Sequence, residues 1–94
     1  MKKENIQHPK VVIIGAGSLF FGRQAIWQMV TSSYLNQGTL ALVDIDEDKL
    51  DKMMSLARMV TEHAGVKLKV EGSTDRKDVL QGADFVVLSF ARDT

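Results

Sequence analysis

The chain has 94 residues, 45% of them hydrophobic, with 12 Lys and Arg balanced by 12 Asp and Glu, and no cysteine. Such a length holds one small domain at most, and a neutral balance excludes the concentrated basic field of a nucleic-acid groove or a polybasic membrane patch. Without thiols there is no cysteine nucleophile, zinc ribbon or Cys-ligated metal within these residues.

Residues 1–9 read as a flexible tail, polar at first, with Pro9 marking where order begins. Val11-Val12-Ile13-Ile14 is too short for the apolar stretch of a secretion signal. No run approaches the ~20 residues that cross a bilayer, so a cytoplasmic location away from membranes is expected.

Residues 10–15 (Lys-Val-Val-Ile-Ile-Gly) form a β-branched run closed by glycine, the signature of a strand buried on both faces. Over residues 18–31, Leu19, Ile26, Met29 and Val30 recur at helical spacing, with Phe20 and Phe21 adding bulk. Thr31-Ser32-Ser33 and Asn36-Gln37-Gly38 then punctuate a loop. Residues 39–44 make a second short buried strand that ends on a carboxylate, Asp44.

The following helix has the clearest boundaries. Asp46 can cap it, and Glu47 and Asp48 put negative charge where the helix dipole favours it. Leu50, Met53, Met54, Ala57 and Val60 form one apolar stripe, and Gly65 supplies the stop. Residues 66–71 alternate apolar and charged side chains, as a half-exposed edge strand does. Thr74-Asp75 opens a short helix reaching about Gln81, Gly82 ends it, and residues 84–89 form a fourth strand.

Strands alternating with helices imply parallel pairing through right-handed crossovers. The expected fold is α/β: a Rossmann-like parallel sheet of four strands in the order 3-2-1-4, with helices on both faces, truncated at half of the six-stranded dinucleotide fold. An edge made of Phe85, Val86, Val87 and Leu88 would pair with other chains, so a homo-oligomer is expected.

Gly15-Ala16-Gly17-Ser18 stands where the first strand meets the first helix. Gly15 permits the tight turn, Gly17 lets backbone amides approach a pyrophosphate, and the helix N-terminus adds unsatisfied N–H groups beside the Ser18 hydroxyl. The third glycine of the usual G-x-G-x-x-G pattern is replaced by Phe20, and Gly22 comes two residues late. A plain strand-to-helix turn is the alternative use of these glycines. Asp44 lies 24 residues beyond Phe20, near the ~20-residue interval of the ribose-binding acid. A carboxylate there suits the two ribose hydroxyls of NAD and repels the 2′-phosphate of NADP. Asp46 is the rival acid, although a capping role suits it better. Ser89 and Phe90 follow the fourth strand, where the strand order reverses, and could touch the cofactor's ribose or pyrophosphate. Arg92 could meet an anion or stand in solvent, and His63 reads as a solvated residue near a helix end. Neither His63 nor His8 has a partner at metal-ligand spacing.

Taken together, residues 11–20 (Val-Val-Ile-Ile-Gly-Ala-Gly-Ser-Leu-Phe), Leu42-Val43-Asp44-Ile45-Asp46, Thr74-Asp75 and Gly82-Ala83-Asp84-Phe85-Val86-Val87 resemble the N-terminal segment of glycoside hydrolase family 4. The resemblance covers nearly the whole chain beyond Pro9. That family comprises NAD- and Mn-dependent α-glucosidases, α-galactosidases, uronidases and 6-phospho-glycosidases. Lactate and malate dehydrogenases share the glycine turn and the acid. They usually carry alanine and glycine after the fourth strand, where this chain reads Ser89-Phe90-Ala91-Arg92.

The resemblance implies an exception to two-carboxylate glycoside hydrolysis. NAD takes a hydride from sugar C3, the ketone acidifies the C2 proton, a base removes it, and the glycosidic oxygen is eliminated. Water then adds and the hydride returns. A divalent metal such as Mn, held in the family by a cysteine and a histidine, polarises the sugar oxygens; those ligands and the base belong beyond residue 94. Cofactor roles carry over to Gly15, Gly17, Ser18, Phe20, Asp44 and Ser89, which makes residues 10–94 an NAD-binding segment of a glycosidase acting on a small-molecule glycoside. The 94-residue chain alone is expected to be inactive. The other readings are a segment of a 2-hydroxyacid dehydrogenase and a non-enzymatic nucleotide-binding domain.

Overall fold

The computed structural model describes residues 8–15 and 19–88. In chain order these form β1 (Lys10–Ile14), α1 (Leu19–Thr31), a 3-10 turn (Leu35–Gln37), β2 (Thr39–Val43), α2 (Glu47–Ala64), β3 (Lys69–Ser73), a second 3-10 turn (Arg76–Asp78) and β4 (Phe85–Leu88). The strands lie in the order β3-β2-β1-β4, every neighbouring pair parallel. The central β1 pairs Lys10–Ile14 with Thr39–Val43 on one side and Val11–Ile14 with Phe85–Leu88 on the other. Its β-branched run is buried on both faces as the sequence requires, with Val12 and Ile13 at 0% and 1% exposure.

Because side chains alternate along a strand, this register sorts the core into two layers. Val11, Ile13, Leu40 and Leu42 point toward α1 and α2, where Ile26, Met29, Val30, Leu50, Met53 and Ala57 meet them. Val12, Ala41 and Val43 point the other way, onto Val79, Leu80 and Ala83. Both α helices therefore share one face. The crossovers β1→β2 and β2→β3 step in the same direction, so right-handedness puts both on the same side, and only β3→β4 crosses the other face.

On that second face the sequence predicts a helix from Thr74 to about Gln81, and the structure reduces it to the single 3-10 turn Arg76–Asp78. Competition from local side chains explains the difference. The Ser73 hydroxyl accepts from the Asp75 N–H at 2.9 Å and donates to Asp78 Oδ2 at 2.8 Å, while Asp75 Oδ1 accepts from the Lys77 N–H at 2.9 Å. These bonds close tight turns in place of a helical ladder. Gly82, at φ 77°, then turns the chain into β4.

α2 follows its signals closely. Asp46, extended at φ −88° and ψ 106°, accepts from the Lys49 N–H, and Gly65 ends the helix at φ 71° with its N–H bonded to the carbonyls of Thr61 and Glu62. Its buried stripe runs Leu50, Met53, Met54, Ala57 and Thr61; the predicted Val60 sits half-buried on the flank. β3 begins three residues later than predicted, because residues 66–68 are used in leaving the helix cap. It is the half-exposed edge that its alternation announces. At Gly72 a Cβ would lie 2.6 Å from Met54 Sδ, so glycine allows α2 to press onto this edge.

The sheet's lower end is tied by backbone. Pro9 is fully buried, and its carbonyl accepts from the Thr39 N–H at 2.9 Å. A Cβ at Gly38 would collide with that carbonyl oxygen. Among the described residues no helix is long and apolar enough to cross a membrane.

Candidate functional site

In a parallel sheet of this kind, ligands bind outside the carboxyl ends of the strands. Here the ends of β1, β2 and β3 place Ile14–Gly15, Val43–Asp44–Ile45 and Thr74–Asp75 around an open groove of about 600 Å³. Gly15 sits at φ 87°, in the left-handed region. An L side chain there costs about 1–2 kcal/mol. Its N–H donates to the Val43 carbonyl at 2.8 Å, so the chain leaves β1 only after a final bond to β2. α1 begins four residues on, at Leu19, with no acidic residue in its first turn. A helix start left without its own acid keeps its positive end for an outside anion.

Asp44 is the first residue past β2 and is half-buried. Its backbone N–H reaches the Ser73 carbonyl at 3.4 Å, and its Oδ1 accepts from the Asp46 N–H at 2.8 Å. The carboxylate is thus fixed in orientation by a turn of its own chain before any ligand arrives. Asp46 instead aims its carboxylate at the Lys49 N–H, 3.2 Å away. The two acids that compete in the sequence are separated by these bonds: Asp44 faces the groove and Asp46 serves α2.

Of the other site residues predicted from sequence, Phe20 falls in the first turn of α1. Gly17, Ser18 and Ser89 lie outside the described residues, as do Phe90 and Arg92. His63 is exposed in the last turn of α2. Thr74 and Asp75 join the groove, although the sequence reading gives them no site role, only a helix start and a part in the family resemblance. Their position just past β3 is the signal that finds them, since each strand's carboxyl end contributes to the same rim. Among the described residues no group of three or more His, Cys, Asp or Glu side chains could hold a metal ion.

A parallel 3-2-1-4 sheet with a left-handed glycine after its first strand and a carboxylate after its second has the architecture of the first four strands of a Rossmann-like fold. Solved structures agree on the fold. A malate dehydrogenase from Cryptosporidium parvum superposes with a TM-score of 0.73 at 21% identity over 90% of this chain and 25% of that one. A 6-phospho-alpha-glucosidase from gut microorganisms, in complex with NAD and Mn2+, gives 0.71 at 19% identity over 88% of this chain and 19% of that one.

Sequence comparison is more specific: residues 10–92 match the model of the family 4 glycosyl hydrolases, and the chain belongs to that family. It is 30% identical over 78 residues to an alpha-galactosidase of Rhizobium meliloti (strain 1021), covering 83% of this chain and 16% of that protein. It is 34% identical over 82 residues to a 6-phospho-beta-glucosidase of Escherichia coli (strain K12), covering 85% of this chain and 18% of that protein. The chain spans less than a fifth of the length of these curated relatives.

Proposed function

We propose that residues 10–94 bind the adenosine and pyrophosphate portion of NAD for a family 4 glycosidase, whose metal and sugar sites are supplied by residues outside this segment. The observation that carries this reading is the Asp44 carboxylate, fixed by the Asp46 N–H at 2.8 Å and lining one groove with Gly15. Two acceptor oxygens suit the vicinal hydroxyls of an adenosine ribose, and the same charge repels a ribose 2′-phosphate. Ile45, 91% exposed beside Asp44, adds an apolar surface at the groove's mouth. Gly15 brings backbone close to the pyrophosphate without a side chain in the way, and Gly17, Ser18 and the first turn of α1 supply donors. By the family resemblance Ser89 is a further candidate for this role.

When bound, NAD supplies a hydride acceptor and donor for transient oxidation of the sugar at C3, the chemistry that makes a C2 proton removable. This chain's own work is earlier in the sequence of events: it holds the adenosine end and thereby fixes where the nicotinamide reaches. The glycoside, the removal of its C2 proton and a divalent metal such as Mn belong to the remainder of a full-length enzyme, so the 94-residue chain alone is without glycosidase turnover.

Isothermal titration of the chain with NAD and with NADP tests the reading. NAD is expected to bind at least tenfold more tightly than NADP. Asp44→Ala should cost roughly 10- to 100-fold in NAD affinity, the worth of hydrogen bonds to a charged acceptor, with the fold retained by circular dichroism. Equal affinity for the two cofactors, or an Asp44→Ala chain that binds NAD normally, removes Asp44 from the site.

A further inference from the structure

We propose that Asp75 selects the base of the cofactor: its carboxylate accepts from the exocyclic N6 amino group of adenine and disfavours a base that carries a carbonyl oxygen at that position. The inference rests on the reading of the groove as an adenosine site and adds to it the side chain that tells one base from another.

The order of the strands sets where a base must lie. In that reading Gly15, after β1, takes the pyrophosphate and Asp44, after β2, takes the ribose, so the base is carried onward to the end of β3. Ser73 is level with Val43 in the β2–β3 ladder, and the Asp44 N–H reaches the Ser73 carbonyl at 3.4 Å. Thr74 and Asp75 therefore stand alongside Asp44 and Ile45, on strand ends about 4.8 Å apart, and line the same groove.

The side chains of this stretch differ in what they can distinguish. Asp44 is engaged by the ribose hydroxyls. Ile45, 91% exposed, offers an apolar surface to a ring face, which every base has. The Thr74 hydroxyl donates and accepts, so it pairs with an amino group or a carbonyl alike. A carboxylate only accepts. Asp75 thus separates adenine, with its amino group at C6, from hypoxanthine or guanine, which carry an oxygen there.

Asp75 is also held in place for this use. Its N–H donates to Ser73 Oγ at 2.9 Å, and its Oδ1 accepts from the Lys77 N–H at 2.9 Å. That leaves Oδ2, unbonded among the described residues, for a ligand. Asp44 is oriented in the same manner, through Oδ1 and the N–H two residues on. Adjacent strand ends therefore present one acid for the sugar and one for the base.

Titration calorimetry with NAD and with nicotinamide hypoxanthine dinucleotide tests the assignment, since the two cofactors differ only in the base. The wild-type chain should bind NAD roughly five- to twentyfold more tightly, less than a buried hydrogen bond would give because Asp75 is exposed. Asp75→Asn should invert that order. Asparagine keeps the bond to the Lys77 N–H through its carbonyl oxygen and sets an NH2 donor where Oδ2 stood, so the hypoxanthine cofactor becomes the tighter ligand. A merely structural role would move both affinities together and leave their ratio unchanged. Equal binding of the two cofactors by the wild-type chain, or an unchanged ratio in Asp75→Asn, overturns the proposal and leaves the roles of Gly15 and Asp44 standing. A chain that binds neither cofactor overturns both. Should Asp75→Asn fail to fold, the wild-type ratio still decides.

Discussion

α1 and α2 lie side by side on one face of the sheet, and both begin near the carboxyl ends of strands, yet their first turns are built differently. α2 opens on Asp46, which caps the Lys49 N–H, followed at once by Glu47 and Asp48. Its positive end is neutralised by its own chain. α1 runs for 13 residues with no acid in its first turn and is entered through a glycine at φ 87°. A helix that only had to be stable would be built like α2, since each well-placed acid contributes about 0.3–1 kcal/mol. The start of α1 forgoes that stabilisation, and its positive end has no acid in the first turn to offset it. The contrast separates a helix terminus neutralised by its own chain from one that the proposed function assigns to a ligand.

Three substitutions can break or sharpen this contrast. Gly15→Val has the largest expected effect: a β-branched residue at φ 87° costs stability on the order of 1–2 kcal/mol, and its side chain enters the path of the pyrophosphate. NAD binding followed by calorimetry should disappear, and a Gly15→Val chain with normal affinity would reduce the glycine to a turn residue. Leu19→Glu gives α1 the acid that α2 has. NAD affinity should fall roughly two- to fivefold through competition for the same dipole, while thermal stability holds or rises. Asp46→Ala is the converse and the smallest for the ligand: it should destabilise the fold by about 1 kcal/mol in chemical denaturation and leave NAD affinity unchanged, because the bond to Asp44 comes from the backbone of residue 46. A parallel loss of affinity and stability in Asp46→Ala would erase the distinction between the two helix starts.

Of the residues lining the groove, Gly15 and Asp44 can be read from residue types in order. Val11-Val12-Ile13-Ile14 is apolar on every residue, which only a strand covered on both faces can use, and the caps of α2 are local chemistry confined to Asp46 and Gly65. Asp44 is legible because it ends an apolar strand. The segment after β3 is where reading by pattern falls short. Thr74, Asp75 and Gly82 look like the ends of a helix, but Ser73, Asp75 and Asp78 hydrogen-bond among themselves and hold the backbone in turns. Such bonds depend on side-chain geometry that periodicity does not encode. In the buried stripe of α2, Thr61 takes the place expected for Val60, which packs on the flank. The side-by-side placement of α1 and α2 follows from strand order and handedness together, and from neither alone.

The reciprocal bonds between Lys10 and Asp84 join residues 74 positions apart. Every other pairing of the sheet closes a shorter stretch of chain: β1 with β2, then β2 with β3. Entropy of loop closure and the preference for local contacts therefore assemble β1 to β3 with their two helices as one unit, and β4 docks against it last. The groove at the ends of β1, β2 and β3 therefore belongs to the unit that forms first, and its walls do not depend on the docking of β4.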